Sequence, residues 1–90
     1  MHIDQLIWDD YRVEHMALHD VDPEEVWQVC QDPLHSARRE ERNRYLIFGQ
    51  TDGGRYLFVV LEQIESASYK PITARDMTEA EKRGLRRLRR

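Results

Sequence analysis

The sequence is short of cysteine, of long apolar runs and of glycine-rich loops, and each shortage excludes a class of protein. Its single cysteine, Cys30, cannot form an internal disulfide, which fits a reducing cytoplasm. No apolar run approaches the roughly 18 residues of a membrane span, and the start, MHIDQLIWDD, lacks the basic and apolar segments of a secretory signal. Gly53 and Gly54 are not followed by the lysine of a phosphate-binding loop. We therefore expect a cytoplasmic protein without a membrane partner.

What the 90 residues do contain is charge, and it is unevenly distributed. The formal net charge is −3, but residues 1–36 hold nine acidic residues and one basic residue, whereas residues 37–90 hold eight acidic and thirteen basic ones. Such a split indicates two faces with different partners, the basic half being suited to a phosphate backbone or an acidic protein. The alternative is that the two halves fold against each other and partly neutralise one another.

Local signals predict three helices and at least three strands in a single domain of residues 1–90. Helices are expected where a capping residue precedes apolar positions, as at Asp22 and at Thr78. Strands are expected where aromatic and branched residues flank the turn sequence TDGG. The predicted elements are a strand at 2–8, helices at 10–19 and 23–31, a loop or irregular edge strand at 34–43, strands at 44–51, 55–63 and 67–75, and a helix at 78–88.

This order, β-α-α-β-β-β-α, predicts an α+β fold. We expect a small antiparallel sheet of three to four strands, packed against two N-terminal helices and one C-terminal helix. The nearly continuous apolar core of the 55–63 strand indicates a central position covered on both faces. Pro71 has no backbone N–H to donate, which places it at a sheet edge or at a bulge.

Three arginines stand at predicted strand ends and raise the question of an anion site. Arg44 begins one strand, Arg55 begins the next and Arg75 closes the third. In an antiparallel meander Arg55 and Arg75 should meet at one end of the sheet, with Arg44 at the far end of its own strand. Two neighbouring guanidinium groups repel unless an anion lies between them. A phosphate or the Asp76 carboxylate would serve, and the residues alone do not choose between a functional and a structural pairing.

His15 and His19 are the other candidate pair. Being four residues apart, they share one face if the first helix runs through both. This spacing can bind zinc, but Met16 stands where the HExxH motif has glutamate, and no third ligand is evident. Packing or helix capping is the other interpretation. We expect neither a metal nor a cofactor.

The chain resembles the BrnT-type toxins of bacterial type II toxin–antitoxin operons, which have a RelE-like ribonuclease fold. The matching segments are IWDD, VEHMALHDVDPEEVWQV, the DP at 32–33, RYLIFGQT, GRYLFVVL and ITARDMTEAEK, in the family's order and over nearly the whole chain. Two positions depart from the family pattern. Asp20 stands where the family has a glycine that ends the first helix in a left-handed turn, and Arg12 stands where it has lysine.

The resemblance implies a toxin that cleaves mRNA without a metal and inhibits translation. Carried over by motif, Arg55 matches the arginine before the central strand, Arg75 the arginine of the Ser/Thr-Ala-Arg motif, and His19 the family's histidine. Arg55 and Arg75 are then expected to bind phosphate, and His19 to act as acid or base. The residues expected to support RNA binding are Arg44, Tyr69, Lys70, Arg83 and Arg86.

The same resemblance implies two partners, a cognate antitoxin encoded beside the toxin and an RNA substrate. Dependence on the ribosome and formation of a homodimer stay open. The alternative function is a non-catalytic RNA-binding or protein-interaction domain of the same fold.

Overall fold

Residues 1–89 of the computed structural model form three helices and five strands. In chain order these are β1 (Gln5–Leu6), α1 (Asp10–Ala17), α2 (Pro23–Gln31), β2 (Ser36–Glu41), β3 (Arg44–Gln50), β4 (Tyr56–Glu65), β5 (Ser68–Asp76) and α3 (Glu79–Leu88). The α+β class is confirmed, but the sheet has five strands where three or four were predicted. None of the helices in the described part of the chain is long and apolar enough to cross a membrane.

The five strands lie in the order β1-β5-β4-β3-β2, with β4 at the centre as predicted. Consecutive strands from β2 to β5 are antiparallel, whereas β1 pairs with β5 in parallel. The sheet is therefore mixed, and the prediction of a purely antiparallel sheet was wrong at this edge. β1 is not joined to β5 by a hairpin, so the chain is free to enter beside β5 in the same direction.

The fifth strand is the polar segment SARREE, for which a loop or an edge strand was predicted. It is the edge strand β2, which pairs with β3 from Ser36 opposite Phe48 and is irregular between Arg39 and Glu41. Its residues beyond Ala37 are exposed. Backbone pairing with β3, rather than burial of its own side chains, therefore holds β2 in place.

The two faces of the sheet are covered by different helices. On one face the alternate β4 residues Leu57, Val59 and Leu61 are fully buried and pack in a cluster with residues of α1 and α2. On the other face lies α3, whose buried residue is Leu85. Cys30 belongs to the α1–α2 side of the core, where burial raises the pKa of its thiol to about 12, as fits a structural cysteine.

Helix α2 lies unusually close to β3 at Gly49. A methyl group at this glycine would stand 2.9 Å from Cγ1 of Val29 and 3.1 Å from the Val29 carbonyl oxygen. Because both neighbours belong to a packed helix, glycine is required there by the close approach of helix and strand.

Carboxylate and hydroxyl caps start the helices at the predicted residues. Asp22 and Glu25 form one capping box, and Thr78 and Glu81 form another. Helix α1, however, ends at Ala17, two residues before the predicted end. The chain then turns through Asp20, whose φ of 57° lies in the left-handed region. The expected left-handed turn is therefore present, with aspartate in place of the family's glycine.

The irregularity predicted at Pro71 is a bulge in β5. Leu61 pairs with Pro71, while its neighbour Val60 pairs with Thr73, so Ile72 is the extra residue. β1 pairs only with Ser68 and Tyr69, before the bulge. The edge of β5 after the bulge is therefore free of a strand neighbour, and α1 packs against it.

Candidate active site

Arg55 lies just before β4 and is bound almost entirely by groups of the protein itself. Its Nε donates to the Asp76 carboxylate at 2.8 Å, and its Nη1 donates to both Glu25 carboxylate oxygens at 3.1 Å. The same guanidinium donates to the carbonyl oxygens of Asp20 and His19 at 2.6 and 3.4 Å. These bonds tie the α1–α2 turn and the start of α2 to the end of the sheet.

Arg75, near the end of β5, is bound differently and is more open. It makes a two-pronged bond to the Glu81 carboxylate, with N···O distances of 2.9 and 3.1 Å, and donates to the Asp76 carbonyl at 3.0 Å. Its guanidinium carbon lies 4.4 Å from the centre of the Phe58 ring. The side chain is still 40% exposed, so part of this cation faces solvent.

The two guanidinium groups do not meet over one anion, and that expectation was wrong. Leu57 pairs with Asp76 and faces α1 and α2, whereas Phe58 pairs with Arg75. Because side chains alternate along a strand, Arg75 reaches α3 while Arg55 reaches the α1–α2 side. Both arginines stand at the same end of the sheet, but each has its own carboxylate.

These ion pairs fix the charge of the four groups. Bonds to Asp76 and then Glu25 raise the pKa of Arg55, and its bond to Asp76 lowers the pKa of that carboxyl. In the same way Arg75 lowers the pKa of Glu81, and Glu81 raises the pKa of Arg75. All four groups are therefore ionised at neutral pH. Of the two alternatives for the arginines, the structure realises internal pairing, Asp76 with Arg55 and Glu81 with Arg75.

His19 lies in the turn after α1, outside the helix, and is exposed. Its ring nevertheless lies beside the ring of His15, with centroids 5.8 Å apart and planes at 76°. The two histidines are therefore neighbours, although α1 ends at Ala17 and does not run through both of them. Within residues 1–89 no cluster of three or more histidine, cysteine or acidic side chains is arranged to hold a metal ion.

His15 connects this pair to the sheet. Its Nε2 lies 3.4 Å from the Thr73 hydroxyl, and Arg12 on the same helix donates to the Ile72 carbonyl at 3.1 Å. Thr73 and Arg75 are two residues apart on one face of β5, a separation of about 7 Å along the strand. No local pattern in the sequence points to Thr73, because its position depends on the bulge and on the short β1.

The residues predicted to support RNA binding lie in different environments. Tyr69 is 4% exposed and packs edge-on against Tyr45, so its buried ring does not fit the RNA-binding role predicted for it. Burial, more than the neighbouring Tyr45, raises its pKa. Lys70 and Arg44 are partly exposed and form ion pairs, Lys70 with Asp9 at 3.2 Å and Arg44 with Glu62 at 3.3 Å.

Arg83 and Arg86 lie on the exposed face of α3. Together with Arg87 and Arg89 they line a shallow depression of about 480 Å³. Arg89 is turned inward, where it binds the Asp32 carboxylate and donates to the Gln50 side chain at 2.8 Å. The outer arginines of α3 thus form a basic surface, while Arg89 holds the end of the helix against the protein.

Comparison with solved structures identifies the class of fold. The chain is similar to the crystal structure of the Brucella abortus ribonuclease toxin BrnT, with a TM-score of 0.67 and 17% sequence identity. The match covers 83% of this chain and 97% of that chain. At this identity the likeness shows a shared fold, a small α+β domain.

The family itself is shown by sequence. A family model described as the ribonuclease toxin BrnT of type II toxin–antitoxin systems matches residues 8–81, most of the chain. The chain belongs to the BrnT family of ribonuclease toxins, and the resemblance seen in its motifs is confirmed. A search of curated proteins found no match.

Proposed function

We propose that the chain cleaves mRNA by metal-independent transphosphorylation and thereby inhibits translation in the cytoplasm. The family is one of ribonuclease toxins of type II systems, which implies an antitoxin partner. The observation that carries the proposal is the Arg75 guanidinium, 40% exposed beside the arginine-rich α3, at the same end of the sheet where Arg55 binds the His19 carbonyl. The RelE-like relationship belongs to the same proposal and is supported by the α+β order and the C-terminal helix.

The reaction needs few groups. The RNA 2′-hydroxyl loses its proton and attacks the adjacent phosphorus, the bond from phosphorus to the 5′-oxygen breaks, and that oxygen takes up a proton. The products are a 2′,3′-cyclic phosphate and a 5′-hydroxyl. A base, an acid and a cation on the non-bridging oxygens are sufficient for this chemistry.

Arg75 is the residue we assign to the phosphate. Its guanidinium already binds one carboxylate through two parallel hydrogen bonds, which is the geometry a phosphate uses. Glu81 then occupies the place of the substrate anion in the free protein. An RNA phosphate either displaces Glu81 or binds at the exposed side of the guanidinium, against the Phe58 ring.

Arg55 and His19 act together in this proposal. Arg55 has its donors engaged by Asp76, Glu25 and two backbone carbonyls, so we assign it a positioning role in place of direct phosphate binding. One of those carbonyls belongs to His19, the candidate acid or base. Arg55 thus holds the turn that presents the imidazole.

The basic surface of α3 would hold the RNA backbone on either side of the cleaved bond. Arg83 and Arg86 are exposed there, and Arg86 lies 5.9 Å from the Tyr56 ring, which a base can also contact. Lys70 and Arg44 lie elsewhere on the sheet and would extend this contact.

Expression in bacteria without an antitoxin tests the proposal. The wild-type chain should arrest growth, and Arg75→Ala should restore it at an equal level of folded protein. Arg42→Ala, which removes an exposed arginine in the β2–β3 turn, is the matched control and should remain toxic. Growth unaffected by the wild-type chain would contradict the proposal.

A non-catalytic binding domain is the second candidate function, and one observation favours it. Arg55 and Arg75 both have internal carboxylate partners, as expected of arginines that only stabilise a fold. Purification from cells would then recover a small neighbouring protein while cellular RNA stays intact. Cleaved RNA in the same cells would exclude this candidate.

A further inference from the structure

His15 has no role in the reaction as proposed so far, although its ring lies beside that of His19. It is half-buried between Tyr11, His19 and Thr73, with ring centroids 6.1 Å from Tyr11 and 5.8 Å from His19. Thr73 fixes its orientation from the free edge of β5 through a contact of 3.4 Å with Nε2. A histidine on a fully exposed helix face would make no contact with a strand, so His15 differs from a histidine that is only solvated.

We propose that His15 and His19 together form the acid–base pair of the ribonuclease, with Thr73 positioning His15. The inference rests on the proposed function and deepens it, because it adds a second catalytic residue and a positioning residue. Imidazole is the side chain that exchanges its proton near neutral pH, so two of them supply both halves of the reaction.

The two imidazoles account for both proton transfers of the reaction. One imidazole, neutral at the start, accepts the proton of the 2′-hydroxyl as the bond from the 2′-oxygen to phosphorus forms. The other, protonated at the start, gives its proton to the 5′-oxygen as the bond from phosphorus to that oxygen breaks. A catalytic hydrogen bond is about 3 Å long, so rings whose centroids are 5.8 Å apart can each reach one oxygen of a single phosphodiester.

The groups around the pair carry both signs of charge. Arg12, on the same helix as His15, donates to the Ile72 carbonyl beside Thr73, whereas Arg75, two residues further along β5, binds Glu81 on the α3 side. The charged and titratable groups near the two rings are Tyr11, Arg12 and Glu14 on α1, Asp20 in the turn, and Arg55 at the His19 carbonyl with its partners Glu25 and Asp76. Arg12 and Arg55 are the cations nearest the pair, and the exposed His19 leaves its ring accessible to a substrate.

The experiment measures cleavage of one defined mRNA from pH 5.5 to 8.5, with and without purified ribosomes. His15→Asn and His19→Asn should each lower the rate by about 100-fold or more, and the double variant should be little worse than either. The wild-type profile should be bell-shaped, and each single variant should lose one limb. Thr73→Val should lower the rate of the wild type but not that of His15→Asn.

His2→Asn is the matched control, because it removes an exposed histidine near the N-terminus, and its rate should equal that of the wild type. The thermal midpoint of each variant is measured alongside, and a His15→Asn protein that keeps its midpoint but loses its rate supports the pair. A wild type that cleaves, with His15→Asn cleaving within threefold and keeping both limbs, overturns the pair and leaves the ribonuclease intact. A wild type that never cleaves overturns both.

Discussion

Replacing Arg55 by methionine tests whether this arginine holds the fold together. Methionine keeps much of the apolar stem and removes every donor to Asp76, Glu25, Asp20 and His19. The Glu25 side chain is 25% exposed and the Asp76 side chain 64% exposed. Because Asp76 is largely exposed, solvent screening limits its ion pair with Arg55 to below about 1 kcal/mol. A hydrogen bond to a partly buried charged group such as Glu25 contributes about 1.5–3 kcal/mol.

The expected loss is therefore about 2–3 kcal/mol in the free energy of unfolding. For a domain of this size that is a fall of roughly 10–20 °C in the thermal midpoint. Urea unfolding at pH 7, followed by circular dichroism, measures it. Arg44→Met is the control, because its pair with Glu62 is 37% and 44% exposed and should contribute under about 1 kcal/mol. An Arg55→Met protein within about 0.5 kcal/mol of the wild type would refute the positioning role.

Three other changes probe the fold near the site. Because the pKa of Glu81 is lowered from 4.5, its stabilising effect is complete above that value and is lost as pH falls through the lowered pKa. The thermal midpoint should thus drop below about pH 4.5, and Glu81→Gln should flatten that drop; an unchanged drop would contradict the pairing. Gly49→Ala should destabilise the fold by about 1–3 kcal/mol in urea unfolding, since the new methyl meets Val29, and a neutral effect would show that α2 moves away easily. Asp20→Gly should raise the unfolding free energy by about 0.5–1 kcal/mol by relieving the positive φ, and a loss would show that the aspartate side chain is needed.

The elements that depend on local chemistry were predictable from the sequence. The capping residues Asp22 and Thr78 start helices where expected, because caps act within one turn of the chain. β4 was recognised as central because both of its faces are apolar or partly covered. The end of α1 was missed by two residues, since Asp20 sets it through a backbone conformation that aspartate adopts only with cost.

The parts that depend on pairing between distant segments were not predictable. β2 carries a polar sequence and becomes a strand through hydrogen bonds to β3, a partner that its own residues do not reveal. The predicted strand ends correctly placed Arg55 and Arg75 at one end of the sheet. The register between β4 and β5, which puts the two side chains on opposite faces, could not be predicted from the sequence. Tyr69 is buried for the same reason, because the register of β5 turns its ring into the core cluster, where it meets Tyr45.

The arrangement of His15, His19 and Thr73 could be predicted only in part from the sequence. The spacing of His15 and His19 predicted neighbours on one face, and the rings are neighbours although the helix ends between them. The contact to Thr73 was hidden, because it requires the bulge at Ile72 and the free strand edge that follows. The side chains of His15 and Thr73 are 58 residues apart in the chain, so no local sequence pattern could predict their contact.

The most direct test of the proposed reaction is the chemistry of the RNA ends that the chain leaves in cells. Total RNA is taken shortly after expression of the wild-type chain, and the cleaved mRNA fragments are sorted by their terminal groups. Transphosphorylation with Arg75 on the phosphate predicts 2′,3′-cyclic phosphates facing 5′-hydroxyls at every cleavage site, and none of these sites with Arg75→Ala. Fragments beginning with a 5′-phosphate, or the same cleavage with Arg75→Ala, would contradict it.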